Sequence, residues 1–552
     1  MAFLLIFILI ALQAYASLPE EYRLLNTYLR TKDSSVAYRI LKEYPEAVFA
    51  DDLRVMLARE LVREGRREEA ISLIHRVEPK NLTSDELRED YVRLWKELNL
   101  DKKTALLKAP ALFKDFVWEV SLSTDEALMV AQELFRRRFY REVLSLLKDG
   151  DYGKVCFLLG LSHKALGETE KALEVFETCP VEKAKVELSL LYFEKGQRER
   201  SEKLLSEISD RSLLSEALFR MGRKSLVSGA YEEAIKYFEG METSYSREFN
   251  LGLTYYALRN YSKALEHFLN SAPLANTKED RSASYFWAYK SAFALGMENS
   301  TQYLIKASNG AGFYSAVASR MLGVPVASKA LKVVMEEDRR RGRVERIKAI
   351  WYAGFPQYAR LEALKRNKEF SAGDLIALSK LDPYLAIRLA VKNYGYASLV
   401  YGAVAFPTPY SSLVERASQE YAVEPALIYG IMRQESLFDP YAVSVAKAMG
   451  LMQLIPSTAR YVANKEGIRL KNIYDPETNI RLGTAYLRYL LDKWSGDLIR
   501  AIASYNAGPS KVRSWYPHED DFLFIETIPI SETRNYVKKV LYNYYVYSEL
   551  LK

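Results

Sequence analysis

Glu435 is the residue whose type and position best suit acid–base chemistry. Pro425 suits the first turn of a helix, and the stretch after it is apolar at helical spacing. The apolar residues that share this face are Leu427, Ile428, Ile431 and Met432. Glu435 follows Ile431 by four residues, so its carboxyl continues the buried stripe close to the C-terminal end of the helix. Burial and the negative end of the helix dipole both disfavour a charged carboxylate, so we expect a raised pKa, as a general acid requires. The alternative is a carboxylate that pairs with Arg433 and completes the helix.

Four short blocks, the first of which contains Glu435, carry polar and aromatic residues. They are residues 433–436 (RQES), Ser444 with 450–453 (GLMQ), 504–508 (SYNAG) and 528–534 (IPISETR), extended by Tyr536 and Val537. Together these blocks resemble the soluble lytic transglycosylases, whose catalytic domain is similar to goose-type lysozyme. The resemblance covers some 140 residues strongly; residues 312–323 resemble the linker domain of that family more weakly.

The resemblance implies a role for each matching residue. Glu435 corresponds to the single catalytic acid/base. The substrate-binding residues it implies are Ser444, Met452, Gln453, Tyr505, Asn506, Glu532 and Tyr536. Two positions depart from the family pattern: Lys447 stands where glycine is usual, and Ile455 where methionine is frequent. Each matching position also has a structural interpretation, such as Ser444 as a helix cap and Tyr505 as a packing residue.

Glycan cleavage normally uses two carboxylates, whereas these blocks supply one clear candidate. The resemblance implies that the substrate provides the rest, through the acetamido group and the 6-hydroxyl of N-acetylmuramic acid. The expected activity is lytic cleavage of peptidoglycan with 1,6-anhydro ends, without a cofactor. The alternatives are a goose-type muramidase, which uses water, and a non-catalytic periplasmic scaffold.

A recurring pattern precedes this region. A Gly-like residue is followed by a small residue five positions later and a large apolar residue four positions after that. It occurs at Gly65/Ala70/Ile74, Gly167/Ala172/Phe176, Gly196/Ser201/Leu205, Gly229/Ala234/Phe238 and Arg259/Ala264/Phe268. The steps of 102, 29, 33 and 30 residues lie close to one or three periods of a paired-helix solenoid. The glycine permits the turn between two helices, and the small residue permits their close packing.

The composition predicts an all-α chain with several domains. The chain has 552 residues, 49% of them hydrophobic, and a net charge of +7, which favours an acidic partner. We predict a signal peptide at 1–16, an α-solenoid with TPR-like repeats at 17–308, a helical linker domain at 309–405 and a lysozyme-like domain at 406–552. Prolines 407 and 409 mark the last boundary. A solenoid of this kind is a structural scaffold or a docking surface for periplasmic cell-wall synthesis proteins.

The N-terminal segment and the cysteines bear on the compartment. Residues 2–12 are wholly apolar and lead into Ala14-Tyr15-Ala16, so we expect cleavage after Ala16 and a periplasmic protein, with an uncleaved anchor as the alternative. Cys156 begins one predicted helix and Cys179 ends the next, so they form either a disulfide or two buried thiols. Four histidines and two cysteines, all scattered, predict no metal site. No role in binding nucleic acid and no membrane domain after cleavage is expected.

Overall fold

The computed structural model describes residues 17–148, 152–326, 342–395, 402, 404–515 and 517–552. The predicted signal peptide lies outside these residues. All regular elements in the described ranges are helices, and the only strand-like pairing there consists of the isolated bridges Val443–Met449 and Met449–Leu454. The predicted all-α fold is therefore confirmed. None of the described helices is both long enough and apolar enough to cross a membrane.

The helices fall into two compact units. Among the described residues, the first unit comprises 17–148, 152–213 and 342–369, and the second comprises 214–326, 370–395, 402, 404–515 and 517–552. The helices that begin in the first unit are α1 Glu20–Thr31, α2 Ser34–Glu43, α3 Ala50–Arg63, α4 Arg67–Arg76, α5 Asp85–Glu97, α6 Lys102–Lys108, α7 Thr124–Arg136, α8 Tyr140–Leu147, α9 Tyr152–Ala165, α10 Thr169–Thr178, α11 Glu182–Glu194, α12 Arg198–Ser206, α13 Arg211–Val227, α20 Gly342–Tyr352 and α21 Pro356–Lys365.

The second unit contains the remaining helices. They are α14 Tyr231–Glu239, α15 Tyr245–Ala257, α16 Tyr261–Leu274, α17 Lys278–Ala294, α18 Thr301–Ser308, α19 Gly312–Met321, α22 Ala372–Ser379, α23 Pro383–Tyr394, α24 Ser411–Tyr421, α25 Pro425–Ser436, α26 Pro456–Lys465, α27 Pro476–Lys493, α28 Leu498–Ala507, α29 Pro509–Arg513, α30 Asp521–Thr527 and α31 Ser531–Leu550. Short 3₁₀ turns occur at Pro79–Asn81, Lys114–Trp118 and Asn367–Glu369. The described helix pairs continue on both sides of residue 213, and the division at residues 308 and 405 stays a prediction.

The glycines of the sequence repeat turn the chain as predicted. Gly65, Gly167, Gly196 and Gly229 have φ between +75° and +81°, a conformation in which side chains are strained. A second set of glycines, not identified from the sequence, lies on the first helix of a pair. A Cβ added at Gly160, Gly222 or Gly252 would lie 2.3 to 2.6 Å from the ring of Phe176, Phe238 or Phe268 respectively. Each ring therefore packs directly against helix backbone sixteen residues before it, which fixes the spacing of the paired helices.

Residues 342–369 lie against the beginning of the chain. The Tyr358 hydroxyl donates a hydrogen bond of 2.9 Å to Asp52, and the Tyr22 ring packs against Phe355 with 5.9 Å between centroids. Arg346 forms an ion pair with Glu21 at 2.5 Å. This segment belongs to the linker region that the sequence placed at 309–405, so that region contributes helices to both units.

A frame of five helices surrounds the segment after α25. Helix α25 packs against α31, α24 against α27, and α28 against both α27 and α31. Gly430 allows the close approach of α25 and α31, because a Cβ there would lie 3.2 Å from the backbone nitrogen of Tyr544. The proline-containing connection is fastened to this frame, since the hydroxyls of Tyr429 and Tyr547 donate to the carbonyls of Pro409 and Pro407.

Candidate active site

Helix α25 carries Glu435 one residue before its end. The apolar residues that share its face are buried, as predicted. The helix stops at Ser436 because Leu437 adopts the left-handed conformation, with φ of +50°. Asp439 lies beyond this stop, where its carboxylate accepts a hydrogen bond from the Tyr441 backbone at 3.2 Å. Glu435 is thus the carboxyl that the helix end presents, with its side chain only partly exposed.

The surroundings of Glu435 favour its protonated form. Burial raises its pKa to about 7; the charge of Glu532 adds to this rise, and the hydrogen bond from Tyr536 opposes it. The Tyr536 hydroxyl donates to Oε1 of Glu435 at 2.6 Å. Among the described residues, no donor lies within hydrogen-bonding distance of Oε2. The carboxyl therefore has one anchored oxygen and one available oxygen, and it holds a proton near neutral pH.

Arg433, which was considered as a partner of Glu435, contacts other residues instead. Arg433 donates from Nε to the carbonyl of Ala405 at 2.6 Å and from a terminal nitrogen to Asn543 at 3.0 Å. Its guanidinium also lies 4.2 Å from the centre of the Phe406 ring. Arg433 therefore fastens α25 to α31 and to the connection before α24, and does not serve the helix-completing role considered as the alternative for Glu435.

A short loop with two β-bridges lies next to the end of α25. The hydroxyl of Ser436 donates to the carbonyl of Leu451 at 2.8 Å and so ties this helix end to the loop. Ser444 accepts a hydrogen bond on its hydroxyl from the backbone of Ala448 at 3.0 Å. The Ser444 hydroxyl thus closes a tight turn, and the residue remains half-buried.

The side chain of Gln453 also stabilises this loop, through hydrogen bonds to its backbone. It has a left-handed φ of +49°, and its amide nitrogen donates to the carbonyls of Ala442 and Gly450 at 2.9 and 3.0 Å. Both amide hydrogens are engaged, so the amide oxygen is the group that remains for a ligand. A strained backbone held by two side-chain hydrogen bonds indicates a position that the surrounding structure specifies closely.

Met452 belongs to the same loop and is one of the predicted substrate-binding residues. Its side chain is fully buried and packs on Gly483, where an added Cβ would lie 2.3 Å from the sulfur. A side chain in this position contributes to the core, and its predicted contact with a sugar chain stays a prediction. Its carbonyl accepts a hydrogen bond from the Tyr505 hydroxyl at 3.0 Å. The side chain of Ile455, three residues after Met452, is 46% exposed.

The remaining predicted residues come from α28 and α31. Tyr505 lies close enough to Glu435 for the two groups to influence each other, and burial raises its pKa well above the usual value. Asn506 accepts a hydrogen bond from Thr533 at 2.6 Å, which joins the two helices. Glu532 is exposed at the start of α31 and Tyr536 is buried one turn later. Three elements distant in sequence therefore meet around Glu435.

Asn479 is a positioning residue that lies outside all of the sequence blocks described above. It is fully buried, accepts from the Met452 backbone at 2.8 Å, and donates to the carbonyls of Met449 and Ile473 at 3.1 and 2.8 Å. Gly450 has φ of +79°, and a Cβ there would meet the Asn479 amide at 2.3 Å. The signal that could have found this residue is the pairing of a buried asparagine with an irregular, glycine-containing segment.

No group of three or more His, Cys, Asp or Glu side chains suited to a metal ion occurs among the described residues. The first unit contains a disulfide between Cys156 and Cys179, whose Cα atoms lie 5.6 Å apart. It joins the start of α9 to the residue after α10.

Comparison with known proteins defines the class of this chain. Residues 412–527 match the family model described as the transglycosylase SLT domain, and residues 153–179 match a tetratricopeptide repeat. The structure is similar to the 70 kDa soluble lytic transglycosylase of Escherichia coli, with a TM-score of 0.65, 20% identity, and 98% and 92% of the two chains covered. It is also similar to the lytic transglycosylase Slt of Pseudomonas aeruginosa, with a TM-score of 0.55, 22% identity and coverage of 96% and 91%. The described residues thus form an all-helical fold in which 412–527 match the SLT domain and 153–179 match a tetratricopeptide repeat.

Sequence comparison adds homology. The chain is 31% identical over 251 residues to the soluble lytic murein transglycosylase of E. coli strain K12, an alignment that covers 42% of this chain and 38% of the relative. A putative soluble lytic murein transglycosylase of Haemophilus influenzae is 30% identical over 290 residues, with 47% and 46% covered. The chain is homologous to these soluble lytic murein transglycosylases, and the matched part spans less than half of the length of either relative.

Proposed function

We propose that this chain is a peptidoglycan lytic transglycosylase that cuts the bond between N-acetylmuramic acid and N-acetylglucosamine. The observation that carries the proposal is the state of Glu435: its pKa is raised to about 7, one oxygen is anchored by Tyr536, and the other oxygen is available. A carboxyl in this state can donate a proton to a glycosidic oxygen at neutral pH. The homology to murein transglycosylases supports the choice of substrate.

The reaction proceeds in two steps with one carboxyl. Glu435 gives its proton to the bridging oxygen, and the bond from that oxygen to the anomeric carbon of N-acetylmuramic acid breaks. The carbonyl oxygen of the 2-acetamido group stabilises the anomeric carbon. Glu435, now a carboxylate, accepts the proton of the sugar's own 6-hydroxyl, whose oxygen bonds to the anomeric carbon. The products are a 1,6-anhydro end and a free 4-hydroxyl, and no water is consumed.

The neighbouring residues support this chemistry in different ways. The Tyr536 hydroxyl donates to the Glu435 carboxylate, which stabilises the ionised form after proton transfer. The negative charge of Glu532 acts in the opposite direction and favours the protonated form before transfer. We assign Ser444, the Gln453 amide oxygen, Tyr505 and Asn506 to contacts with the glycan. Met452 serves through its backbone carbonyl, which positions Tyr505.

The decisive variant is Glu435→Gln, which keeps the shape of the side chain and removes the transferable proton. We expect cleavage of purified peptidoglycan to fall by about 10³-fold or more, with binding of glycan strands retained. The exposed Glu466→Gln change is the matched control and keeps full activity. A Glu435→Gln variant that digests peptidoglycan at the native rate contradicts the proposal.

The product distinguishes the transglycosylase from a muramidase. An anhydro product is lighter by one water than the reducing product of hydrolysis, so mass spectrometry of the released fragments separates the two reactions. We expect the anhydro mass alone. Secretion to the periplasm and cleavage of residues 1–16 belong to the same proposal, as do docking partners at the helix pairs; the mass of the mature protein tests the cleavage.

A further inference from the structure

The second unit contains a cavity whose lining residues differ from those of the candidate active site. It has a volume of about 280 Å³. Its lining comes from α15, α17, α19, α30 and α31. Helix α31 also carries Glu532 and Tyr536, but none of the residues assigned above to catalysis or glycan contact lines this cavity. A volume of this size suits one small group rather than a polysaccharide.

Aromatic side chains form much of the cavity lining. These residues are Tyr245, Phe249, Phe313, Tyr314 and Tyr542. Phe249, Phe313 and Tyr314 are buried, so the cavity has a fixed apolar wall. Aromatic faces attract alkyl groups and ammonium groups, and they contribute little to the binding of a carboxylate or phosphate.

The charged groups deep in the cavity already have partners. Glu526 accepts hydrogen bonds from the Tyr314 hydroxyl at 2.5 Å and from Lys538 at 2.6 Å. Burial disfavours the charge of Glu526, but Lys538 and Tyr314 outweigh that effect and hold the pKa of its carboxyl below the usual range. Asp280 accepts a hydrogen bond from Thr277 at 2.7 Å at the start of α17. Glu526 and Asp280 therefore already have hydrogen-bond partners within the protein.

Two charged groups at the exposed part of the lining, Glu279 and Lys539, differ from these buried groups in their hydrogen bonding. Within the described part of the chain, neither Glu279 nor Lys539 forms an ion pair or a side-chain hydrogen bond. Glu279 lies on α17, with its side chain against the backbone of Gly312, where an added Cβ would come within 2.8 Å of it. Lys539 lies on α31, and Asn535 beside it supplies an amide. The cavity thus offers one free carboxylate and one free ammonium from separate walls.

We propose that this cavity binds the zwitterionic α-amino-acid group of a small ligand, with its ammonium at Glu279 and the aromatic wall and its carboxylate at Lys539 and Asn535. An anion such as phosphate does not fit, because the lining contains three carboxylates and two ammonium groups. A neutral sugar leaves both free charges without a partner. This step rests on the proposed function. In peptidoglycan, the group with this chemistry is the free end of a diamino acid in a peptide stem.

Calorimetry on the full chain tests this proposal without requiring activity. The probes are the tripeptide N-acetyl-L-alanyl-γ-D-glutamyl-meso-diaminopimelate, free meso-diaminopimelate, and the same tripeptide with the free amino group of its diaminopimelate also acetylated. We expect the first to bind and the form acetylated on its diaminopimelate to lose binding. Binding of free diaminopimelate as tight as that of the tripeptide assigns the site to a free amino acid; weaker binding assigns it to the stem. Either result supports the zwitterion site.

The variants Lys539→Gln and Glu279→Gln each remove one charge from an exposed position. We expect each to weaken tripeptide binding roughly tenfold or more, because each removes a charge-assisted hydrogen bond. Lys471→Gln and Glu466→Gln, exposed changes elsewhere in the second unit, leave it unchanged. Absence of binding to the native chain, or equal binding by all four variants, overturns the proposal. Glu435→Gln keeps native binding of the probes, so failure here and failure of the proposed function are separate results.

Discussion

The hydroxyl of Tyr536 donates a 2.6 Å hydrogen bond to Oε1 of Glu435, across 101 residues of sequence. This contact joins α25 to α31 at the position where the two helices approach the candidate site. It fixes the orientation of the carboxyl and favours its ionised form, while burial and Glu532 favour the protonated form. Opposing influences of this kind keep the pKa near neutrality, where one group can serve as acid and then as base.

Tyr536→Phe removes the donor and keeps the ring. Because the hydrogen bond stabilises the carboxylate, its loss raises the pKa of Glu435 further and loosens the side chain. We expect kcat to fall by roughly 10- to 100-fold and the alkaline limb of the kcat/KM profile to move up by about one pH unit. Tyr352→Phe, at an exposed site in the first unit, is the control. An unchanged pH profile would show that the bond does not tune the acid.

Under the proposed function, the native protein should lose activity as the solution becomes alkaline. With a pKa of about 7, Glu435 is less than half protonated above that pH, so the acid required for the first step is depleted. We expect kcat/KM to decline above about pH 7, with a slope of one proton, when peptidoglycan cleavage is measured across a pH series. A profile that stays flat to about pH 9 is incompatible with Glu435 as the acid.

We also expect the Glu435→Gln substitution to change how the stability of the protein depends on pH. The pKa of Glu435 rises from 4.5 in the unfolded chain to about 7 in the native state, so the native state binds more protons between these values. Native stability therefore decreases as the pH rises through this window, by up to about 3 kcal/mol from this group. The glutamine does not titrate. Thermal unfolding should show the variant gaining stability relative to the native protein from about pH 5 to about pH 8. A constant difference would contradict the raised pKa.

Asn479→Ala tests how the loop around Gln453 is held. The change leaves one backbone NH and two carbonyls without their buried partner, so we expect a loss of about 2–4 kcal/mol in unfolding free energy and a large loss of cleavage. Urea unfolding and a peptidoglycan assay measure the two effects. Asn464→Ala, at an exposed site on α26, should alter neither. Native activity in Asn479→Ala would show that the loop does not depend on this residue.

Reduction of the Cys156–Cys179 disulfide should destabilise the first unit. The bond closes a loop with a sequence separation of 23 residues, for which the chain-entropy model gives about 3 kcal/mol. We expect earlier unfolding in the presence of reductant and no effect of reductant on the Cys156→Ala/Cys179→Ala double variant. Peptidoglycan cleavage, which under the proposed function depends on residues of the second unit, serves as the internal control. Equal stability of oxidised and reduced protein contradicts the assignment.

The sequence alone determined the features that depend on neighbours along the chain. Helical spacing placed Glu435 on the buried side of a helix near its end. The repeat glycines, such as Gly65 and Gly167, predicted the turns between paired helices, because positive φ is a local requirement. The ordered blocks after Glu435 predicted most of the residues that the structure gathers around it.

Only the tertiary structure decided which distant residues meet. Tyr536 donates a hydrogen bond to Glu435, and Met452 packs against Gly483. Asn479 accepts a hydrogen bond from the backbone of Met452, and residues 342–369 contact the beginning of the chain. The physical reason is that periodicity and turn propensity are properties of a few consecutive residues. Side-chain packing and hydrogen bonds between helices depend on the whole arrangement of the chain, and so do the burial and charge that set the pKa of Glu435.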